Sequence, residues 1–217
     1  GPDPRRQGAS ARRRGRRAVA SGSVVATPNL TRGGLRSARM IAAGTTVRIL
    51  LTPVVMALIL WGGDDLVALT AGLFVIAAAT DWFDGRLARR WNVTSKLGSF
   101  LDTTADKLLV SGVLIALLAE DRVSPWIAAI IIGRELVLMG LRGLIAAEGE
   151  VMAPSMLGKA KTSIQFLAIT LAILRPGDEI AGLFIDEWAM LVAAAITVWS
   201  AADYLVRAIP MLTADGR

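Results

Sequence analysis

Apolar and polar positions fall along this chain in long blocks rather than in short periods. Six apolar stretches, near residues 46–61, 66–85, 100–119, 124–147, 157–174 and 184–209, are separated by short polar ones. An α-helix needs ~20 apolar residues to cross the hydrocarbon of a bilayer. The first stretch is short, spanning about 24 Å at ~1.5 Å per residue. It can still cross where the bilayer thins or its ends snorkel, and Pro53 within it predicts a kink. Residues 38–45, just ahead, read as a short interfacial helix. The pattern predicts an all-α integral membrane protein with six transmembrane helices. They form one domain over residues 38–210, followed by a C-terminal tail at 211–217. There is no internal repeat and no linker marking a second domain.

Composition agrees with that architecture. Hydrophobic residues make up 54% of the chain and mean hydropathy is +0.55, above the ~45–50% apolar content of ordinary soluble domains. Residues 1–37 are rich in Arg, Gly, Ala and Ser without apolar periodicity, and are expected to be a disordered tail. The net charge of +6 belongs largely to that tail. Nine of the 24 basic side chains, but only one of the 18 acids, lie within residues 1–36. The body that follows is slightly acidic, so the basic character does not point to a nucleic-acid partner. The connections alternate in charge. The first carries Asp64 and Asp65. The second carries Arg86, Arg89, Arg90 and Lys96. The third, Glu120-Asp121-Arg122, is nearly neutral, and the fourth carries Lys159 and Lys161. The fifth carries Asp178 and Glu179 beside Arg175. Basic loops stay inside, which predicts that the tail, the second and fourth connections and both termini are cytoplasmic.

The chain has no cysteine and no histidine. Disulfides, thiolate nucleophiles, Cys/His zinc sites and histidine triads are excluded. Acid–base work falls to Asp, Glu, Lys or Tyr, and a metal would be oxygen-bound: Mg²⁺, Mn²⁺ or Ca²⁺.

The second connection is bracketed by four acids, Asp81, Asp84, Asp102 and Asp106. Spacings of three and four put each pair on one helix face. Acids beside membrane-spanning stretches are expensive and default to a functional reading. A hairpin of the two flanking helices would converge all four at the cytoplasmic surface. Four carboxylates repel, and one or two divalent cations are the natural counter-charge. Two such ions ~4 Å apart can clamp a diphosphate for in-line displacement at phosphorus. Gly85 and Ala88 are small enough for close approach of a ligand, Arg89 can pair with phosphate, and Gly98 lies one turn before Asp102. An ion transporter or divalent-cation channel is the alternative from another class. The cluster's place at one surface rather than the midplane weighs against it.

The joint pattern Asp-x2-Asp-Gly-x2-Ala-Arg-x8-Gly-x3-Asp-x3-Asp, carried by Asp81, Asp84, Gly85, Ala88, Arg89, Gly98, Asp102 and Asp106, resembles the signature of the CDP-alcohol phosphatidyltransferase family at every fixed position. The resemblance covers roughly residues 40–209. It implies a six-helix CDP-alcohol phosphotransferase fold, a homodimer in a bacterial cell membrane among its lipids, and a cytoplasmic active site with Mg²⁺ or Mn²⁺, two ions in all. CDP-diacylglycerol would be the donor and CMP the leaving group. By the same resemblance Asp81, Asp84 and Asp102 ligate metal. Asp106 lies at the metals as the candidate base. Asp81, Asp84, Gly85, Ala88, Arg89 and Gly98 form the CDP site.

The acceptor is read from later helices. Arg134 and Arg142 lie eight apart, about two turns, on one face. With Lys159 and Lys161 they could form a cationic pocket opposite the acids, although ion pairing around Glu135 would also account for Arg134. The arrangement GRE…R…GKxKTxxQ resembles the branch of the family whose acceptor is sn-glycerol 3-phosphate. Inositol phosphate and phosphatidylglycerol are the alternatives within the family. That branch commonly carries Asn-x-Leu-Thr-x-x-Arg and then Pro near the first helix. Thr45, Arg48 and Pro53 fit its end, whereas Ala42 stands at the Asn position and a similar Pro28-Asn29-Leu30-Thr31 lies upstream.

Overall fold

The structure is a computed structural model. It describes residues 32–91, 96–147 and 156–213, with side chains described over 44–80, 100–147 and 161–210. By its internal contacts the chain divides after Leu35, and the packing below is that of Arg36–Arg217. Among the described residues there are six long α-helices: α1 (Arg32–Trp61), α2 (Val67–Trp91), α3 (Lys96–Ala119), α4 (Pro125–Ala147), α5 (Met156–Leu174) and α6 (Ile185–Thr213). Each expected apolar stretch falls in one of them, in order, to within one residue at its start. The interfacial helix expected at 38–45 is not separate: α1 runs unbroken from Arg32 through it and across Pro53. The rest of the expected tail, residues 1–31, lies outside the described residues, as do the last four residues of the chain.

Among the described residues, two helices are by length and composition apolar enough to cross a membrane, over Gly44–Trp61 and Ile185–Pro210, and a shorter apolar helix covers Lys161–Leu174. Thr52, Thr70, Thr80, Thr104 and Thr170 each donate to the carbonyl four residues earlier in their own helix, at 2.7–2.9 Å. Such back-bonding gives each hydroxyl a partner within its own helix.

Local chemistry sets the ends of the helices. After α3 the chain turns left-handed at Asp121 (φ 54). Arg122 N–H bonds Leu117 O at 2.9 Å and Asp121 N–H bonds Leu118 O at 3.2 Å, the paired bonds of a Schellman stop. Pro125 then opens α4, at the position where its missing N–H costs nothing. Between α5 and α6 lies a feature not expected from the sequence, a hairpin of β1 (Glu179–Ile180) and β2 (Leu183–Phe184), paired antiparallel with Ile180 opposite Leu183. Its two-residue loop, Ala181-Gly182, takes φ 54 and 81, the positive values that match the twist of a tight hairpin.

α6 packs on α5 and α4, α2 on α5, and α3 on α4 and α5. The core draws Val55, Phe74, Leu114, Ile131, Ile169 and Met190 from all six helices. α1 meets α3 at Gly112, where an added Cβ would lie 2.8 Å from Met56 Sδ and 3.0 Å from Thr52 Cγ2. A second cluster, Leu138, Ile145, Tyr204 and Ala208, joins α4 to α6. The outward faces are apolar: Leu50, Ile76, Leu144, Leu167 and Val206 are all exposed. A cavity of about 360 Å³ at the ends of α1, α3 and α5 is lined by Trp61, Asp64, Thr70, Glu120 and Arg122. Neither Asp102 nor Asp106 lines it.

Candidate active site

The site begins on the amino-terminal half of α3, where Asp102 and Asp106 stand one turn apart on one face. Each is held by a different neighbour. Arg48 of α1, 1% exposed, reaches Asp102 Oδ1 with Nη1 at 3.1 Å. Its Nε donates to Ala77 O on α2 at 3.3 Å. Thr45, one turn earlier on α1, donates to the same Asp102 oxygen at 3.4 Å. The surviving positions of the N-terminal pattern, Thr45 and Arg48, thus meet the third acid of the signature. The sequence marked them, with Pro53, as the end of that pattern.

Asp106 has a different partner. Lys107 Nζ donates to its Oδ2 at 2.9 Å and also pairs with Oε2 of Glu135 on α4. Glu135, with a side chain 4% exposed, takes two further cations on Oε1: Arg134 Nη1 at 2.9 Å and Lys161 of α5. Arg134 is steadied from the far side by α6, its Nη2 donating to Ser200 Oγ at 3.0 Å. One carboxylate therefore gathers three cations from three helices, and the network extends to Asp106. Low dielectric strengthens each attraction and makes an uncompensated charge costly. Among the described residues three cations here share two carboxylates, which leaves the cluster one positive charge in excess.

The two arginines expected to share a face do so, toward α6. Arg134 meets Ser200, and the Arg142 guanidinium lies over the Tyr204 ring, 5.2 Å from its centre. Arg142 is exposed and takes no part in the Glu135 cluster. The structure brings together Asp106, Arg134 and Lys161 of the expected site, linked through Lys107 and Glu135, to which the sequence gave no site role, while Asp102 is held separately by α1. Lys107 could have been found as a base directly beside the fourth acid in an apolar stretch. Glu135 was seen as an ion-pair partner, and its hold on three cations was not. Asp81, Asp84, Gly85, Ala88 and Arg89 lie on the carboxy-terminal part of α2, Gly98 in the first turn of α3 and Lys159 in the first turn of α5. Their side chains lie outside the described residues. Among the described residues no three ligating side chains cluster as a metal site, and Asp102 and Asp106 are the two of the four acids whose side chains are described. Both are partly exposed carboxylates on one helix face, a donor set suited to a hard divalent cation.

A family model described as CDP-alcohol phosphatidyltransferase matches residues 41–199. The chain is 42% identical over 174 residues to the CDP-diacylglycerol–glycerol-3-phosphate 3-phosphatidyltransferase of Bacillus subtilis (strain 168), covering 74% of this chain and 90% of the relative. Proteins of the same name are 45% identical over 141 residues in Sodalis glossinidius (63% of this chain, 76% of the relative) and 41% identical over 140 residues in Escherichia coli K12 (61% and 74%).

Proposed function

The chain belongs to the CDP-alcohol phosphatidyltransferase family, and we propose that it transfers the phosphatidyl group of CDP-diacylglycerol to sn-glycerol 3-phosphate, releasing CMP. The observation that carries the choice of acceptor is the electropositive cluster of Lys107, Arg134 and Lys161 beside Asp106. An acceptor with a phosphate dianion supplies the charge this cluster lacks, and its hydroxyl can then be turned toward Asp106. The names of the relatives support the same acceptor.

In the reaction the acceptor hydroxyl oxygen attacks the phosphorus that carries diacylglycerol, and the bond from that phosphorus to the CMP oxygen breaks. Asp106 accepts the hydroxyl proton as the new bond forms. Arg134 and Lys161, with Arg142 and Lys159 as further candidates, hold the acceptor phosphate. Gly85, Ala88, Arg89 and Gly98 line the CDP site with Asp81 and Asp84. Asp81, Asp84, Asp102 and Asp106 would hold Mg²⁺ or Mn²⁺, two ions in this reading. The metal would supply charge stabilisation on the diphosphate. Arg48 and Thr45 keep Asp102 in place.

The same reading takes all six helices through a bacterial inner membrane, with the acids and both termini cytoplasmic and the enzyme a homodimer. α2, α3, α4 and α5 have 25, 24, 23 and 19 residues, lengths that reach across ~30 Å of hydrocarbon. Charged site residues lower their hydropathy, as at functional intramembrane positions generally. Trp61, Trp126 and Trp188, all exposed, stand at the ends of α1, α4 and α6 away from the acids, where an aromatic belt would lie.

The test is CMP release from CDP-diacylglycerol by the purified enzyme in lipid nanodiscs with Mg²⁺, offering glycerol 3-phosphate, inositol phosphate, phosphatidylglycerol or no acceptor. Glycerol 3-phosphate is expected to support turnover. Turnover with inositol phosphate but not glycerol 3-phosphate would overturn the choice. Divalent-cation flux into sealed vesicles without any CMP release would favour a transporter.

A further inference from the structure

We propose that Glu135 is the positioning residue of the acceptor site: its carboxylate holds Lys107, Arg134 and Lys161 together as one phosphate-binding cradle and ties that cradle to Asp106. The inference rests on the acceptor reading above and adds to it a residue that itself carries the wrong sign to bind phosphate.

The geometry separates the duties of the two carboxylate oxygens. Oε1 takes Arg134, at 2.9 Å, and Lys161. Oε2 takes Lys107, whose ammonium also sits 2.9 Å from Asp106 Oδ2. Lys107 comes from α3, Arg134 from α4 and Lys161 from α5. Three like charges from separate helices repel, and without a shared anion they would splay. Lys161 and Glu135 are 3% and 4% exposed, so water cannot take over that role. The acceptor phosphate needs the cations already gathered, because arranging them on binding would consume affinity. Glu135 keeps them gathered while the acceptor is absent, and Lys107 fixes how far the cradle lies from the candidate base. That distance determines where an acceptor hydroxyl arrives once its phosphate is seated.

Full-length wild type, Glu135→Gln and Glu135→Asp, each in nanodiscs with CDP-diacylglycerol, test the proposal by CMP release, with inorganic phosphate as a competitor of the acceptor. Glutamine keeps the shape and removes the charge. Displacements of ~1 Å can cost of order a hundredfold, so KM for glycerol 3-phosphate is expected to rise about tenfold or more in E135Q. The inhibition constant of inorganic phosphate should rise in parallel, with KM for CDP-diacylglycerol staying within about twofold. E135D, with the charge on a shorter arm, should fall between wild type and E135Q. A merely structural role would reduce the active fraction and hence kcat, leaving KM for the acceptor unchanged. That result, or equal changes in both KM values, overturns the proposal. If E135Q does not fold, E135D decides alone, and an unchanged acceptor KM there overturns it. Should wild type prove to use another phosphorylated acceptor, the acceptor reading fails, and the same comparison is made with that acceptor. If the acceptor carries no phosphate and inorganic phosphate does not compete, the cradle is refuted as well.

Discussion

Replacing Arg48 with methionine tests whether α1 holds Asp102 in place. The substitution keeps the bulk of the stem and removes the guanidinium, with its contacts to Asp102 Oδ1 at 3.1 Å and Ala77 O at 3.3 Å. At that separation two unit charges attract by about 5 kcal/mol for an effective dielectric of ~20. Asp102 is 28% exposed, so water recovers part of this when the partner is removed. The Ala77 carbonyl loses a donor in a buried setting, which adds about 1 kcal/mol. The net expectation is a loss of about 2–3 kcal/mol, at or just below the ~3–5 kcal/mol that breaking a fully buried ion pair costs. Unfolding in mixed micelles with increasing dodecyl sulfate, followed by tryptophan fluorescence, measures it. Arg48→Lys should recover part of the loss, since an ammonium can pair with Asp102 but lacks the fork that also reaches Ala77. CMP release should fall about tenfold or more in R48M, because an unpinned Asp102 no longer presents its oxygens where they are needed. Stability within about 0.5 kcal/mol of wild type, the range of an inconsequential surface change, together with undiminished turnover would refute the reasoning.

Asp106→Asn should cut CMP release by about 10²–10⁴-fold, the usual worth of a positioned base, while CDP-lipid binding measured by equilibrium dialysis persists. Surviving turnover would remove Asp106 from that role. Tyr204 OH has no partner among the described residues while its ring carries Arg142 at 5.2 Å. Tyr204→Phe should therefore leave melting in detergent unchanged, and Tyr204→Leu should lose about 1–2 kcal/mol of cation–π attraction and packing. Gly112→Ala is expected to be tolerated because the Met56 thioether can swing aside. Gly112→Leu should push α1 from α3 at a cost of about 1–3 kcal/mol, with a larger loss of CMP release than G112A because Thr45 and Arg48 move with α1.

Much of the fold was legible because membrane-length apolar blocks are strong signals. The stretches at 66–85 and 100–119 fall in α2, which begins at Val67, and in α3, but the helices run beyond them, to Trp91 and back to Lys96. An apolar block reports the depth of the bilayer, whereas a helix continues for as long as its own hydrogen-bond ladder is satisfied. The same reason carries α1 back to Arg32, through residues whose Arg and Gly content reads as tail. The hairpin at 179–184 was hidden because Ala181-Gly182 lacks the Asn-Gly signal of a tight turn and is flanked by charges that suggest a loop. Within the site, the four acids and the pairing of Arg134 with Arg142 on one face were visible, since helical spacing alone determines them. The meeting of Lys107 with Glu135 depends on how α3 and α4 are rotated against each other, and no local spacing encodes that.

The two described acids of the signature differ in a way their spacing conceals. Asp102 and Asp106 are one turn apart on α3, yet one is held by α1 and the other by a lysine bound into the α4–α5 cluster. A carboxylate bonded by a buried arginine and a threonine is fixed in direction, which suits a ligand. The carboxylate one turn deeper shares its ammonium with Glu135 and lies beside the electropositive cluster, which suits a group that must meet an incoming hydroxyl. On the proposed reading, the donor's diphosphate then lies toward α2 and Asp102, and the soluble acceptor enters toward α4 and α5 at Asp106. The line between the two substrates crosses α3 between two residues of one motif. The opposite assignment, Asp102 as base and Asp106 as pinned ligand, would place the base beside Arg48. On this reading that would put the base on the α1 side, away from the cluster of Lys107, Arg134 and Lys161 that seats the acceptor.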